Sequence, residues 1–510
     1  MREGDRIAVE GVCMQTATRE FLKSTDELIA KRREEIRAAK DEIVISGETY
    51  YVSESGDDRN DGKTEATAWR TLGKVSDADL KAGDGVRFRR GDIFRGLICA
   101  KEGVTYAAYG EGEKPRLYGW DKDLADPWLW ENVGGNIWCM REKILDPGTL
   151  VFNHGERHSR KLIPSYIGGK FVCRDDESRD FDMAEEMTED LDIYWHFTEL
   201  MTTEPSKGED FPIPDMTLKS FGTLYIRCDK GNPGEIFSSI EATVRRPMFA
   251  VGRRNNIKID NLCLRYIGIH AVAAGTCDGL TVTNCEIGWI GGTIQHYLGT
   301  DPNYPKGGRG TVTRYGNGIE IYGGCRDYTV ENCYIYQCYD AGITHQVTTF
   351  GNTYNMENVV YRANLVEKCV YGIEYFLDMN NGDEDSLMNG ILMEDNIIFD
   401  SGYGWGQQRH NKNTPALIKG WSYVNRAKNY TIKNNTFYRS AYRMLHLVAR
   451  DEESLPEMIG NTYIQDLGGM IGQYGANAKA EPEIEIFDAL ADEKIEKVFK
   501  ETCAKVYVIE

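Results

Sequence analysis

The stretch Glu331-Asn332-Cys333-Tyr334-Ile335 is one of seven places between residues 253 and 474 where an asparagine comes directly before a β-type run. Uneven intervals between these asparagines fit a coil of roughly 20 residues or slightly more, with loops of varied length inserted on one side. An asparagine at each bend can bond the backbone and the asparagine of the next coil, which predicts a parallel β-solenoid. The asparagines are Asn261, Asn284, Asn332, Asn364, Asn396, Asn435 and Asn461.

A Gly-Ile-X run follows several of these asparagines and indicates which face of the solenoid carries polar groups. Side chains alternate along a strand, so a buried isoleucine directs X outward. The runs are Gly268-Ile269-His270, Gly318-Ile319-Glu320, Gly342-Ile343-Thr344 and Gly372-Ile373-Glu374. The outward face is therefore predicted to carry His270, Glu320, Thr344 and Glu374, with Tyr322, Gln346 and Phe376 two residues further along.

Changes in residue pattern and composition along the sequence divide the chain into five parts. Ser24 and Glu27 form a capping-box pattern, and isoleucine recurs every seven residues, which predicts an amphipathic helix over residues 24–43 that lies against the body. Residues 121–245 are rich in tryptophan and interrupt the coil pattern, so we expect an inserted β-rich subdomain there. The predicted parts are an N-terminal segment (1–48), first coils (49–120), the insertion (121–245), the main parallel β-helix (246–475) and a small α/β cap (476–510).

Composition narrows the classes of function. The chain has 510 residues and a net charge of -20, which disfavours a nucleic-acid partner because phosphate binding needs a basic surface. Residues 1–12 lack an apolar run long enough for a leader or a membrane span, so the expectation is a cytoplasmic protein without a membrane partner; the alternative is a protein whose leader has been removed. Thirteen cysteines, an odd number, are interpreted as free thiols. A homo-oligomer and a monomer are both compatible with the sequence.

Glu320 and Glu374 are the first candidates for chemistry. They belong to the first and third of three successive coils, so their backbones should lie about 10 Å apart. Glycoside hydrolases commonly use two catalytic carboxyl groups across such a gap, one as general acid and the other as base or nucleophile. Asp378 and Asp340 are further acidic candidates. The alternative is that outward glutamates only keep a solenoid soluble.

The remaining candidates are groups that could hold a sugar. Their mixture of imidazole, amide, phenol and aromatic rings suits a sugar ring better than plain solvation. For His345 a buried core histidine is an equal alternative, because it stands between two outward residues. The loop that follows Trp405 could close over a ligand. The predicted substrate-binding residues are His270, Tyr322, His345, Gln346, Phe376, Trp405, Arg409 and His410.

The segment from Tyr50-Tyr51-Val52-Ser53 to Gly119, with Trp69-Arg70-Thr71-Leu72 and Gly83-Asp84-Gly85-Val86, resembles the opening of bacterial proteins of the pectate-lyase-like superfamily. This resemblance implies an all-β fold, a right-handed parallel β-helix. The insertion looks like that of β-helical glycoside hydrolases of the β-xylosidase and α-fucosidase type. The likeness implies catalytic acids at Glu320 and Glu374. The middle coil departs from the pattern of these hydrolases, because it has Thr344-His345-Gln346 where an acidic residue would be expected. Either Asp340 or Asp378 would then serve as nucleophile, or the enzyme would invert the configuration of the sugar and need no nucleophilic residue.

Three functions follow from these expectations. The leading one is a glycoside hydrolase on oligosaccharides that requires no cofactor, with Glu374 as general acid, Glu320 or Asp378 as base or nucleophile, and tryptophans of the insertion stacked on the sugar. The second is a polysaccharide lyase, in which Glu320 and Glu374 hold Ca²⁺ against a uronate and Lys419, Arg409 or His345 removes a proton. The third is a non-catalytic carbohydrate-binding β-helix.

Overall fold

The protein is a parallel β-helix, as the sequence predicts. The structure is a computed structural model that describes residues 14–167, 170–196, 221–298, 311–379, 385–409, 414–476 and 483–510. Each coil of the main solenoid runs through three sheets in turn, which we call sheet III, sheet I and sheet II. Successive coils pair in parallel, so equivalent residues stack along the solenoid axis.

Each sheet is built from short strands that are neighbours in space but mostly distant in sequence. In spatial order, sheet I contains Met14–Thr16, Lys505–Ile509, Thr462–Asp466, Thr436–Ser440, Ile397–Ser401, Leu365–Glu367, Tyr334–Cys338, Glu286–Ile290, Cys263–Ile267, Ile240–Val244, Pro147–Phe152 and Arg157–His158. Arg116–Tyr118 also pairs with Cys263–Ile267, and Ile93–Arg95 pairs with Arg116–Tyr118. Sheet II contains Met470–Ala476, Arg443–Ala449, Ala416–Gly420, Tyr371–Asp378, Ala341–Thr348, Ile319–Tyr322, Val272–Ala274, Phe249–Gly252 and Ile98–Cys99. Sheet III contains Thr49–Val52, Gly85–Arg89, Thr105–Tyr109, Lys258–Asp260, Thr281–Thr283, Cys325–Glu331, Asn355–Arg362, Leu387–Glu394, Ala427–Lys433 and Glu457–Ile459, with Cys277–Asp278 beside Cys325–Glu331.

A stack of isoleucines inside the solenoid sets the register of sheet II. Ile319, Ile343, Ile373 and Ile418 are direct partners on four successive strands, and each is fully buried. Burial of each side chain contributes about 1.5–3 kcal/mol relative to leaving it in water. A slip by one residue would turn all four outward, so this stack holds the alternate residues on the outer face.

The asparagines form two stacked columns rather than the single predicted one. Cα pairing places Asn332 opposite Ala363, so that Asn364 is opposite Cys333. Asn261, Asn284 and Asn332 have the left-handed backbone of the bend itself, with φ between 52° and 62°. Asn364, Asn396, Asn435 and Asn461 come one position later, are buried and bond one another through their side-chain amides. The one-residue offset between the two columns arises because asparagine suits both positions, as a left-handed bend residue and as a buried amide.

The first helix begins earlier than predicted. It spans Arg19–Arg37, and its N-cap is Thr18, whose hydroxyl accepts from the Phe21 N–H at 3.1 Å. The predicted cap Ser24 instead lies inside the helix and donates to the Phe21 carbonyl. As expected, the helix lies against the body, with Ile29 and Ile36 packed on aromatic and aliphatic side chains of sheet I.

The insertion and the cap lie at opposite parts of the solenoid. Residues 121–245 contribute a sheet of strands Arg160–Lys161, Asp192–His196, Phe221–Arg227, Ile137–Met140, Trp130–Gly134 and Ile144–Leu145, besides three strands of sheet I. Two hairpins join Ser165–Ile167 with Lys170–Val172 and Thr293–Leu298 with Thr311–Tyr315. Short helices span Leu72–Asp77, Met183–Glu186 and Pro233–Ile236. At the other end, helix Ala491–Phe499 packs on the core, and strand Lys505–Ile509 extends sheet I.

The buried asparagine column supports a prediction about stability. The Asn396 amide donates to the Tyr361 carbonyl and to Asn435 Oδ1, both at 2.9 Å, and its Oδ1 accepts from the backbone and amide of Asn364. Asn396→Ala leaves these buried groups unpaired, so we expect the free energy of unfolding to fall by about 3 kcal/mol. Urea unfolding measures this change. The control Asn355→Ala, at an exposed position, should change stability little; equal losses would contradict the role of the column.

Candidate active site

The outward residues of sheet II form a charged column over four coils. Cα pairing aligns Glu320 with Thr344, Thr344 with Glu374 and Glu374 with Lys419. The predicted placement of the two glutamates on the first and third of three successive coils is therefore confirmed. Stacked strands are about 4.8 Å apart, so the glutamate backbones lie about 10 Å apart.

The first Gly-Ile-X run does not share this register. Ala273, not His270, is the partner of Glu320, because strand Val272–Ala274 begins after the Gly268-Ile269-His270 turn. The turn nevertheless brings the imidazole to the same place. His270 Nδ1 lies 3.3 Å from Glu320 Oε2.

A cavity of about 570 Å³ opens over this column. Sheet II supplies its floor, and the segments that join sheet I to sheet II supply its walls. It is lined by His270, Gln295, Tyr315, Asn317, Glu320, Tyr322, Asp340, Gln346, Glu374, Phe376, Arg409, Thr414, Lys419 and Trp421. Three carboxylates and two cations thus meet in one concave site.

Glu320 is buried among neutral partners. Asn317 Nδ2 and Gln346 Nε2 donate to its Oε2, the latter at 3.2 Å. Among the described residues, no lysine or arginine lies within ion-pair distance of it. Burial raises the pKa of Glu320 to about 7, and the nearby charge of Asp340 adds to this, while the two amide donors oppose it. Glu320 is therefore a carboxyl group that can hold a proton near neutral pH.

Glu374 and Asp340 lie in the same cavity but each has a cation. Lys419 Nζ donates to Glu374 Oε1 at 2.9 Å, and Arg409 donates to Asp340. Burial raises the pKa of Glu374, and the Lys419 ammonium opposes this by stabilising the charged form. Burial acts to lower the pKa of Lys419, but the charge of Glu374, the hydrogen bond to it and the neighbouring Tyr371 and Asp340 together outweigh burial, and the net direction is upward. The charge of Asp340 raises the pKa of both glutamates, so the three carboxylates interact.

His270 is a neutral imidazole in this site. Burial lowers its pKa to about 4, so the imidazole is uncharged near neutral pH. The backbone N–H of Asn317 donates to Nδ1 at 3.0 Å, which assigns the proton of the neutral ring to Nε2. The side-chain oxygen of Asn317 also accepts from the Ala341 N–H at 2.8 Å, so the backbone and side chain of one buried asparagine contact His270, Glu320 and the next coil.

Of the eight predicted substrate-binding residues, five line the cavity, two do not, and one is not among the described residues. His270, Tyr322, Gln346, Phe376 and Arg409 are the five. His345 points into the core, where its Nδ1 lies 2.9 Å from the Tyr361 hydroxyl, so the core alternative is correct. Trp405 is buried against Tyr339 and donates to the Gln337 carbonyl. His410 lies outside the described residues.

Asp378 and the tryptophans of the insertion, all predicted to act in the site, do not line the cavity. Asp378 lies at the end of strand Tyr371–Asp378, 3.4 Å from the Ser422 hydroxyl, and does not line the cavity. The tryptophans of the insertion do not serve as sugar platforms in this cavity: Trp130 and Trp195 are buried in the core of the insertion, and Trp128 is exposed away from the lining residues.

Sequence reasoning missed Asn317, Tyr315 and Trp421. Asn317 directly precedes the Gly318-Ile319-Glu320 run, a position with no pattern of its own. Trp421 had a usable signal, because it stands two residues after Lys419 just as Phe376 stands two after Glu374. If the pattern of outward residues is continued onto the next coil, it identifies Trp421 as a residue of this face.

Comparisons with known proteins give a short sequence match and several distant structures. No family model matches the sequence. A segment of 80 residues, 14% of this chain, is 38% identical to a lacto-N-biosidase of Bifidobacterium longum subsp. longum, and the match spans 5% of that protein's length.

Solved structures similar to this chain include both glycoside hydrolases and polysaccharide lyases, as the resemblance of the sequence implies. XylC in complex with xylose has a TM-score of 0.46 at 13% identity, over 86% of this chain and 73% of that chain. The GH136 lacto-N-biosidase from Eubacterium ramulus has a TM-score of 0.32 at 12% identity, over 96% and 70%. These likenesses assign no activity. In the described part of the chain, no helix is long and apolar enough to cross a membrane.

The raised pKa of Glu320 predicts how stability depends on pH. The ordinary value is 4.5 and the folded value about 7, so the folded state binds the proton more tightly and wild type loses stability as pH rises through this window. Glu320→Gln cannot ionise and escapes this loss. Between pH 4.5 and pH 8 its free energy of unfolding should gain about 3 kcal/mol relative to wild type.

Urea unfolding at pH 4.5, 6 and 8 measures this difference. Glu54→Gln, at an exposed glutamate, is the matched control and should show no such trend. A difference between Glu320→Gln and wild type that stays constant across this range would contradict the buried, protonated carboxyl.

Proposed function

We propose that this protein is a carbohydrate-active enzyme, a glycoside hydrolase that cleaves oligosaccharides in the cavity over sheet II. One observation carries the proposal: Glu320, a buried carboxyl with only neutral partners, lies beside Glu374 and Asp340, which are each paired with a cation. Carboxyl groups whose surroundings separate their pKa values are the arrangement that divides acid from base in glycosidases. The 80-residue likeness to a lacto-N-biosidase supports the same class.

Glu320 is the general acid in this proposal, which reverses the roles expected from the sequence. With a pKa of about 7 it holds a proton at neutral pH and can transfer it to the leaving glycosidic oxygen. Glu374 suits this task less well, because the Lys419 ammonium at 2.9 Å favours its ionised form.

Glu374 is the base or nucleophile in this proposal. Its carboxylate lies two strands from Glu320 on the same outward column, so a sugar between them would meet acid on one side and carboxylate on the other. Asp340 has the same charge but is held by Arg409, whose donation fixes its orientation. We assign it the role of an electrostatic neighbour that keeps the Glu320 proton bound.

A second candidate, the polysaccharide lyase, has one observation in its favour. Arg409 and Lys419 both line the cavity, where a uronate carboxylate would need cations. Of the three possible bases, burial opposes the charge of Lys419 and Arg409, yet the net pKa of each is raised, so both stay protonated, and His345 points into the core. This favours the hydrolase. The lyase would release an unsaturated product that absorbs ultraviolet light, and a non-catalytic binder would bind sugars without turnover.

The assignment of acid and base predicts different responses to the leaving group. A panel of 4-nitrophenyl glycosides, with the corresponding phenyl glycosides, is assayed with wild type, Glu320→Gln and Glu374→Gln. Nitrophenolate departs without help from an acid, so Glu320→Gln should lower kcat/KM about 10²–10⁴-fold for phenyl glycosides and much less for nitrophenyl ones. Glu374→Gln should lower both about equally.

Asp378→Asn is the control on the strand of Glu374, and it should retain activity because its side chain does not line the cavity. Turnover that is indifferent to both glutamate substitutions would refute the assigned site. Absence of hydrolysis with release of an unsaturated product from a polyuronate would replace the hydrolase by the lyase.

The pH dependence of kcat/KM provides a separate test. Because Glu320 must be protonated to act, kcat/KM should fall as pH rises through about 7. The basic limb should be absent from the residual activity of Glu320→Gln on nitrophenyl glycosides. A basic limb that persists in that variant would show that another group supplies the proton.

A further inference from the structure

An aromatic row runs beside the charged column of sheet II. Tyr322 and Phe376 stand two residues after Glu320 and Glu374, and Trp421 stands two residues after Lys419. Because side chains alternate along a strand, Tyr322 and Phe376 are on the same face as their charged neighbours. Trp421, one residue past strand Ala416–Gly420, lines the same cavity. Two residues of a strand span about 7 Å, so the row lies about 7 Å from the carboxylates.

The rings contact one another across the coils. Tyr322 and Phe376 have centroids 6.3 Å apart and meet edge to face, and Phe376 and Trp421 have centroids 4.6 Å apart. Gln346 occupies the coil between Tyr322 and Phe376 as the backbone partner of both. Phe376 is nearly buried and supports the other two rings, whereas Tyr322 is 41% exposed.

This row is not part of the solenoid core. The core is filled by the inward residues of the same strands, including Ile321 and Tyr375. Tyr322, Phe376 and Trp421 instead line the cavity that contains the carboxylates. Aromatic rings with one face turned to a cavity favour a ligand that combines flat apolar patches with polar edges, and a sugar ring has that character.

Charge also points to a neutral ligand at this position. The row itself carries no ionised group, and the charges beside it, Glu374 with Lys419 and Asp340 with Arg409, are internally paired. A uronate over the row would find no unpaired cation there among the described residues.

We propose that Tyr322, Phe376 and Trp421 form a subsite for a second, neutral sugar ring, so that the substrate has at least two rings. The inference rests on the proposed function, since the carboxylates locate the bond to be cleaved and the row lies about one ring away from it. Tyr322 and Trp421 are the specificity-determining contacts, and Phe376 positions them.

Binding to Glu320→Gln tests the subsite without turnover. Isothermal titration compares xylose with xylobiose, galactose with lactose, and N-acetylglucosamine with its β-1,4-linked disaccharide. At least one disaccharide should bind about tenfold or more tightly than its monosaccharide. Adding Trp421→Ala should remove most of that advantage, and Trp421→Phe, which keeps a ring, should retain most of it.

The control is Trp128→Ala in the same Glu320→Gln background, which removes an exposed tryptophan outside the cavity and should leave binding unchanged. Circular dichroism and thermal melting confirm that each variant is folded. Equal affinity for mono- and disaccharides, an undiminished disaccharide advantage in folded Trp421→Ala, equal losses in both tryptophan variants, or no binding of any sugar in the panel would overturn the subsite.

The result is separable from the test of the proposed function. A disaccharide advantage that depends on Trp421, in a protein whose wild type hydrolyses no glycoside, would keep the subsite and reject the hydrolase. Hydrolysis that depends on Glu374, without any disaccharide advantage, would keep the hydrolase and reject the subsite.

Discussion

The stack of Ile319, Ile343, Ile373 and Ile418 inside sheet II is the constraint on which the site depends. Each isoleucine is fully buried and pairs with the next in register. A strand alternates its side chains, so a buried column at one position requires an outward column at the next. The hydrophobic effect that orders the core therefore also orders the carboxylates, although no apolar group takes part in their chemistry.

Burial then distinguishes carboxyl groups that the alternation alone would make equivalent. Removing a carboxylate from water is costly unless a cation or several donors compensate. Glu374 and Asp340 are each paired with a cation, Lys419 and Arg409, whereas Glu320 has amide donors and a neutral imidazole. The proton affinity of Glu320 rises as a result, and two glutamates on one column acquire different chemical characters.

Much of the fold could be predicted from the sequence because each coil of a solenoid repeats the same short sequence patterns. The asparagine bends and the Gly-Ile-X runs indicated parallel coils and the outward glutamates, and the resemblance added the architecture. The errors have local causes. Asn364 and its successors were aligned one residue early, since asparagine suits both the bend and the buried column. The helix cap was placed at Ser24 because the segment contains two compatible capping residues, Thr18 and Ser24.

Sequence by itself determined the parallel solenoid, its outward face and the placement of Glu320 and Glu374 on alternate coils, because strand periodicity and repetition are local properties. Tertiary structure decided which groups enter the cavity. Loops of unequal length bring His270, Asp340 and Arg409 to the column and leave Trp405 buried elsewhere. It also decided that Glu374 has a cationic partner and Glu320 does not, because desolvation and ion pairing depend on neighbours far apart in the chain.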